Sequence, residues 1–235
     1  MISKKMLLGG EWVGAASGKT LTTVNPATEE LFGEVPSADK EDVDRAVAAA
    51  RAAFPEWSSK PQEYRSAILN QIAAKIKEQI GDIAHHAAQE HGMPEKLGFG
   101  PTMGAAGNFE MAAVYARATG GDLIKSVKTN VMYCFDRVPV GVCALIIPWN
   151  LPFFLMAQKI ALSISTGNTC VVKPPSINST IGLKLAEIID SVDGLPKGVV
   201  NVITGPGGNT GNLLASHPGV DAVGFTGSTE TGVSI

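Results

Sequence analysis

The spacing of apolar positions switches between two periods along the chain, and the switches mark the predicted helices and strands. From Asp39, apolar residues recur at helical spacing as far as Pro55, which predicts a first helix of three to four turns. A capping-box spacing of Ser59 and Gln62 predicts the start of a second helix, which ends near Gly81. Further helices are predicted over residues 82–90, 97–118 and 181–192.

Two stretches predict small β elements outside this helical pattern. Short apolar groups between glycines over residues 6–24 predict a small hairpin, followed by an extended piece through Val35. Residues 128–138 alternate and, with the segment before them, predict a polar-faced hairpin or arm outside the main core. An exposed ribbon of this kind can pair with another subunit.

Residues 138–173 carry the densest pattern and predict a strand, a helix and a second strand. Residues 140–147 form an apolar run between prolines, which is typical of a parallel strand covered on both faces. A helix follows from Pro152 to Ser165, and residues 169–173 are β-branched. Strands over 199–203 and 220–225, each followed by a helix, continue the alternation. The sequence therefore predicts an α/β fold with a doubly wound parallel sheet.

Composition excludes several classes of protein. The formal net charge is −3, from 22 acidic and 19 basic residues without a basic patch, so we expect no nucleic-acid partner. The N-terminus lacks a signal-peptide apolar region, and we expect a cytoplasmic protein with no membrane partner. Three cysteines, two of them in predicted buried strands, argue against a disulfide framework or zinc site. His85, His86 and His91 are predicted to be solvated rather than metal ligands, and no metal is expected.

Polar residues follow the predicted strands, where ligands bind in open α/β sheets. Trp149 and Asn150 follow the first strand, and Lys173 the second. Each residue also has a purely structural interpretation. Trp149 would cap the core, Asn150 would close a turn, and Lys173 would extend its ammonium group to solvent along an apolar stem. The loop over residues 205–211 reads G-x-G-x-x-x-G, one residue longer than the dinucleotide fingerprint, and no Walker lysine follows it. Since this loop and Ser228 also follow strands, the set predicts a nucleotide phosphate and ribose site.

Seven motifs stand in a defined order along the chain. They are Pro148-Trp149-Asn150, Lys159, Gly167-Asn168, Lys173-Pro174, the run over residues 195–202, His217-Pro218 and Phe225-Thr226-Gly227-Ser228-Thr229. This ordered set resembles the aldehyde dehydrogenase superfamily over nearly the whole chain.

The resemblance implies a cofactor domain on a modified doubly wound, Rossmann-like sheet that binds NAD or NADP. It also implies three parts of the chain. Residues 1–118 are the N-terminal hairpin and helical part of that domain, residues 119–138 are a β arm and candidate oligomerisation element, and residues 139–235 are the incomplete NAD(P)-binding region.

The resemblance also implies roles for individual residues. Asn150 would donate to the oxyanion of a thiohemiacetal, Trp149 would line the nicotinamide side, and Lys159 would support proton transfer. Lys173 would hydrogen-bond the adenosine ribose, and Ser228 a phosphate. The other cofactor-binding residues that we expect are Ile147, Ser176, Gly207, Gly211, Phe225, Thr226 and Gly227.

Two departures from the family pattern shape the functional hypothesis. The family often has Glu three residues after the lysine, where this chain has Ser176. A carboxylate would repel a 2′-phosphate and a hydroxyl would not, so NADP is expected to be tolerated or preferred. The family's nucleophilic cysteine and basic glutamate lie beyond Ile235. We expect Cys134, Cys143 and Cys170 to be inert.

The resulting hypothesis is the N-terminal portion of an NAD(P)-dependent aldehyde dehydrogenase, truncated before the catalytic Glu and Cys. The expected substrate of the full-length parent is a small aldehyde, and the expected assembly is a homodimer or homotetramer. A non-catalytic dinucleotide-binding or assembly fragment stays an open alternative. A phosphate-transfer enzyme is disfavoured because the Walker lysine and metal carboxylates are missing.

Overall fold

A six-stranded mixed sheet forms the centre of the computed structural model, which describes residues 1–128 and 130–235. The strands are β1 (Ile2–Ser3), β2 (Met6–Leu8), β3 (Glu11–Val13), β4 (Thr20–Val24), β5 (Leu31–Pro36), β6 (Asp122–Lys125), β7 (Met132–Phe135), β8 (Val142–Ile146), β9 (Thr169–Lys173), β10 (Val200–Val202) and β11 (Ala222–Phe225). The helices are α1 (Lys40–Ser58), α2 (Gln62–Glu78), α3 (Ile80–His91), α4 (Glu95–Ala118), α5 (Pro152–Ser165), α6 (Ser179–Asp190), α7 (Asn212–Ala215) and α8 (Thr229–Ser234).

The strand order of the central sheet is β11-β8-β9-β10-β2-β3. Strands β8 to β11 are parallel, which confirms the predicted alternation of strands and helices. The other edge is antiparallel, because the hairpin β2–β3 adds to β10. Gly9 and Gly10 close that hairpin with φ of 60° and 84°, a conformation that favours glycine.

The predicted hairpin over residues 6–24 is confirmed only for β2 and β3. Strand β4 instead pairs with β5 in a separate sheet of order β1-β5-β4. The alternation of residues 20–24 is the same in either pairing, so the sequence pattern did not reveal the partner.

Apolar side chains cover both faces of the central sheet. In β9, Cys170 and Val172 pack into the larger cluster with α5 and α6, whereas Val171 packs on the opposite face against α1. This two-sided burial explains why β8 and β9 are continuous apolar runs. Val140 lies before β8 and is 61% exposed, so that strand is shorter than predicted.

The predicted end of the first helix at Pro55 is wrong. Helix α1 continues through Pro55 to Ser58. Trp57 is fully buried and its Nε1 donates to the Ile164 carbonyl at 3.0 Å, which stabilises the last turn despite the missing proline N–H.

The predicted capping box of the second helix is also wrong. Pro61 precedes α2 and no side chain caps it, while the Ser59 hydroxyl donates to the Glu56 carbonyl instead. A capping box does occur at the start of α1, between Asp39 and Asp42.

The break between the second and third helices lies at Gln79 rather than at Gly81. The Gln79 backbone, with φ of −109° and ψ of 17°, ends α2, and Gly81 belongs to the first turn of α3. The buried face of α2 carries four large apolar residues at helical spacing: Ile68, Leu69, Ile72 and Ile76.

The hairpin β6–β7 lies outside the main core, as predicted, but its predicted polar face is wrong. Its two strands are exposed, and they carry large apolar side chains. Thr129, within the predicted arm, lies outside the described residues. Five of these apolar side chains are between 48% and 66% exposed: Leu123, Ile124, Met132, Tyr133 and Phe135.

Candidate functional site

The order of the parallel strands creates a switch point between β8 and β11. From β8 the chain moves to β9 and β10 on one side, and then returns to add β11 on the other side of β8. The loops after β8 and β11 therefore lead away in opposite directions and leave a crevice at the carboxyl ends of the strands. Ligands of open α/β sheets bind in such crevices.

A cavity of about 750 Å³ occupies this crevice. Its size suits a small molecule or cofactor. It brings together all but two of the residues predicted for the site: Ile147, Trp149, Asn150, Lys173, Ser176, Gly207, Phe225, Thr226, Gly227 and Ser228.

Lys173 contributes a buried cation to the cavity. It is the last residue of β9, and its side chain is almost fully buried. Its Nζ donates to the carbonyl oxygens of Pro174 at 2.8 Å and Gly205 at 3.3 Å. Burial lowers the pKa of Lys173 from its ordinary value of 10.5 to about 8. An ammonium group has three donors, so one remains for a ligand acceptor.

The loop after β8 presents two of the expected residues at the surface of the cavity. Trp149 is 60% exposed, and Asn150 is exposed as well. Within the described part of the chain, the Asn150 amide makes no side-chain hydrogen bond. It is therefore a neutral donor that a ligand can engage. Below this loop, the Asn178 side chain donates through Nδ2 to the Trp149 carbonyl oxygen at 2.9 Å.

The residues that follow β11 form one wall of the cavity, and within them Gly227 lies close to the ring of Phe225. A Cβ at Gly227 would lie 2.3 Å from Cζ of the Phe225 ring, so a larger residue there would displace the ring. Ser228 precedes α8, and its hydroxyl accepts a hydrogen bond from the Thr231 backbone N–H at 3.2 Å.

Lys159 and Gly211 were predicted for the site but do not line the cavity. Lys159 is half-buried on α5, its Nζ is 3.9 Å from the position of a Cβ on Gly224, and burial lowers its pKa. Gly211 lies beside Lys173, with 3.6 Å between a Cβ at Gly211 and the lysine Cε. That distance is an ordinary van der Waals contact, so the lysine side chain does not require a glycine at this position.

None of the three cysteines lines the cavity. Cys143 and Cys170 are buried, and burial raises the pKa of both thiols, which disfavours the nucleophilic thiolate. Cys134 lies on the exposed strand β7. All three are unpaired thiols.

A second cavity of about 490 Å³ lies on the other side of Trp149. Glu90 is buried at its wall, and its carboxylate accepts from the backbone N–H groups of Thr180 at 3.0 Å and Ile181 at 2.8 Å. Burial alone would raise the pKa of Glu90, but these bonds and one from His86 outweigh it and hold the pKa below 4.5. Two further buried oxygens at this cavity, Oγ1 of Thr23 and Oδ1 of Asn178, have no partner in the described structure.

The prediction of solvated histidines holds only for His85, which is exposed beside Glu95. His86 and His91 are half-buried, and they contact the side chains of Thr180 and Asn178. Within residues 1–128 and 130–235, no three His, Cys, Asp or Glu side chains cluster as a metal site requires.

Sequence reasoning missed several residues that shape the site. Asn178 supports the Trp149 loop, and Thr231, Pro175 and Ile177 line the main cavity. Only their position after β9 or β11 could have pointed to them, because none has a chemically distinctive pattern. No helix in the described ranges is both long and apolar enough to cross a bilayer.

The switch-point cavity with its buried lysine lies where α/β proteins with a parallel sheet bind their ligands, at the carboxyl ends of the strands. The model of the aldehyde dehydrogenase family matches residues 12–235. The chain belongs to that family.

Individual relatives agree with this assignment. The chain is 38% identical to the chloroplastic aminoaldehyde dehydrogenase ALDH10A8 of Arabidopsis thaliana, covering 100% of this chain and 48% of the relative. It is 40% identical to betaine aldehyde dehydrogenase 1 of Oryza sativa subsp. japonica, covering 98% and 47%. A point mutant of Staphylococcus aureus betaine aldehyde dehydrogenase, solved with NAD+, superimposes with a TM-score of 0.95 at 33% identity, covering 100% and 48%. The chain thus spans about half the length of these relatives.

Proposed function

We propose that this chain is the N-terminal portion of an NAD(P)-dependent aldehyde dehydrogenase that oxidises an aldehyde to a carboxylic acid. The observation that carries the proposal is the cavity at the switch point, which is lined by a buried lysine and an exposed amide donor in a member of this family. The cavity residues fit a nicotinamide dinucleotide because they combine a cation, hydroxyl groups and flat apolar surface. When bound, that cofactor accepts the hydride of the substrate.

In this proposal each cavity residue has a physical task. The third N–H of Lys173 donates to ribose hydroxyls, and its charge attracts the dinucleotide phosphates. The exposed Trp149 face supports the nicotinamide side. The Asn150 amide donates to the oxygen of the aldehyde as negative charge develops on it, which can lower the barrier by about 3–4 kcal/mol.

The choice between NAD and NADP is proposed to depend on Ser176. This half-buried residue follows Lys173 by three positions and lines the cavity with a neutral hydroxyl. A hydroxyl does not repel a 2′-phosphate, so we expect NADP to be tolerated or preferred. Substituting Ser176→Glu places a carboxylate there, and we expect NADP binding to weaken at least about tenfold through like-charge repulsion.

The test is a titration of the purified chain with both dinucleotides, followed by fluorescence or calorimetry. The Ser176→Ala variant is the matched control, since it removes the hydroxyl without adding charge, and it should still accept NADP. Tighter NAD binding by the unmodified chain would overturn the preference for NADP. Failure to bind either dinucleotide would overturn the proposed cofactor site.

The 235-residue chain by itself is proposed to bind the cofactor without turnover. This follows from the cysteines, none of which lies at the cavity. Intact mass of the natural protein separates the two cases. A mass well above 24.5 kDa, with aldehyde-dependent NADH or NADPH formation, would support the full-length enzyme. A mass near that value, with dinucleotide binding and no turnover, would support a binding or assembly fragment.

We further propose that the arm over residues 119–138 contributes to a homodimer or homotetramer of the full-length parent. The exposed apolar side chains of β6 and β7 support this, because contiguous apolar surface of this kind marks interaction sites. The three unpaired thiols are consistent with a reducing cytoplasm.

A further inference from the structure

We propose that Asn178 is a positioning residue that holds the Trp149–Asn150 loop against the cofactor cavity, an inference that rests on the proposed function. Asn178 ends a 3-10 turn, Ser176–Asn178, between β9 and α6. The side chain is 2% exposed and reaches across to the neighbouring strand-to-helix connection. No family motif in the sequence includes it.

The geometry accounts for both protons of the Asn178 amide. Nδ2 donates to the Trp149 carbonyl oxygen at 2.9 Å, and it lies 3.0 Å from Nδ1 of His91. A carbonyl oxygen can only accept, so the group facing Trp149 must be the NH2. The second proton then faces His91 Nδ1, which can accept it.

The side-chain oxygen of Asn178 indicates that the Trp149 carbonyl determines how the Asn178 amide is oriented. Oδ1 of Asn178 is buried and has no partner in the described structure. Leaving an acceptor unpaired costs free energy, yet rotating the amide would set its oxygen against the Trp149 carbonyl. The two NH2 contacts therefore outweigh the unpaired oxygen.

The hydrogen bond from Asn178 to the Trp149 carbonyl oxygen affects the cavity because Trp149 and Asn150 line it. Trp149 and Asn150 are exposed, and within residues 1–128 and 130–235 Asn178 makes the one side-chain hydrogen bond to the Trp149 carbonyl. In the proposed function, the side-chain amide of Asn150 donates a hydrogen bond to the ligand. Fixing the carbonyl beside it reduces the conformational entropy that the loop loses when a ligand binds.

Two variants of Asn178 test this inference, and Thr23 offers a matched control. Asn178→Leu and Asn178→Asp remove the donor to Trp149 with little change in size. Thr23→Val removes another buried polar group from the same second cavity, one whose hydroxyl has no partner. Thermal unfolding of each variant establishes that it is folded.

The readout is the relaxation of the three tryptophan indole N–H signals by NMR, without nucleotide. Trp12 donates to Asp190 and Trp57 to the Ile164 carbonyl, so both serve as internal references. A Trp149→Phe variant assigns the third signal. We expect increased fast motion of Trp149 in both Asn178 variants, with the references unchanged, and no change in Thr23→Val. NADH affinity should fall about fivefold in the Asn178 variants, the factor of one hydrogen bond.

The outcomes separate this inference from the proposed function. If Trp149 relaxes in a folded Asn178 variant as it does in the unmodified chain, the positioning role is wrong, whatever dinucleotide binding shows. If the unmodified chain binds no dinucleotide but Trp149 motion increases in the Asn178 variants, the proposed function is refuted and the positioning role of Asn178 is supported. An equal increase of motion in Thr23→Val would also overturn the inference, because it would show a general loosening of the cavity.

Discussion

Raising the pH from 7 to 9.5 should weaken dinucleotide binding through a single residue, Lys173. Burial lowers its pKa to about 8, which corresponds to about 3 kcal/mol of cost to the charged form. The charged ammonium has a third donor and a positive charge for the ligand, whereas the neutral amine lacks that charge. The ligand therefore favours the protonated form, and its affinity declines once the pH exceeds the pKa of the free protein.

The magnitude follows from the fraction of charged lysine. With a pKa of about 8, about 90% of Lys173 is protonated at pH 7 and about 3% at pH 9.5, so the affinity falls by as much as about 30-fold. The effect on stability has the opposite sign. Between about pH 8 and 10.5 the unfolded chain binds more protons than the folded chain, so stability of the free protein rises as the pH increases.

NADH is the suitable probe, because it lacks the titrating 2′-phosphate of NADPH and is fluorescent. Its dissociation constant is measured across this pH range for the unmodified chain and for Lys173→Met. The variant should bind more weakly and show no dependence on pH. An unchanged dissociation constant in the unmodified chain, or the same decline in Lys173→Met, would refute the assignment.

Two further predictions concern stability and use urea denaturation. Trp57→Ala should destabilise the chain by about 3–5 kcal/mol, since it removes a fully buried indole and its hydrogen bond to Ile164; a loss below 1 kcal/mol would contradict its role in anchoring α1. Glu90→Gln should cost about 2 kcal/mol at pH 7, because the charged carboxylate accepts from Thr180 and Ile181. Since the pKa of Glu90 is held below 4.5, that contribution is lost as the pH falls through the folded pKa, and a variant difference that stays constant down to pH 3 would count against it.

Periodicity predicted the parts of the fold in which local pattern and burial agree. The strand at residues 169–173 and the helix from Pro152 were recognisable because both faces of β9 and one face of α5 are buried. Pro55 misled the prediction because local propensity ends a helix there, while the burial of Trp57 against α5 is a long-range contact. The pairing of β4 with β5 likewise depends on contacts that no spacing reveals.

The residues of the candidate site could be predicted from the sequence where they lie near the ends of predicted strands. Lys173, Trp149 and Ser228 are chemically distinctive residues at or near the carboxyl ends of strands, and the topology brings them to one cavity. Asn178 lies in the same region but resembles an ordinary turn residue in the sequence. Its role depends on reaching the Trp149 carbonyl across 29 positions of the chain, and only a structure reveals that distance.

The location of β11 at the edge of the central sheet has a consequence for how the chain resists local opening. One wall of the cavity is built on this strand, whose single partner within residues 1–128 and 130–235 is β8, and on α8, which buries none of its residues. Segments with so little buried surface open at a small fraction of the global unfolding free energy. In the proposed complex a dinucleotide packs against Phe225 and Gly227, so we expect its binding to slow the local opening of this wall.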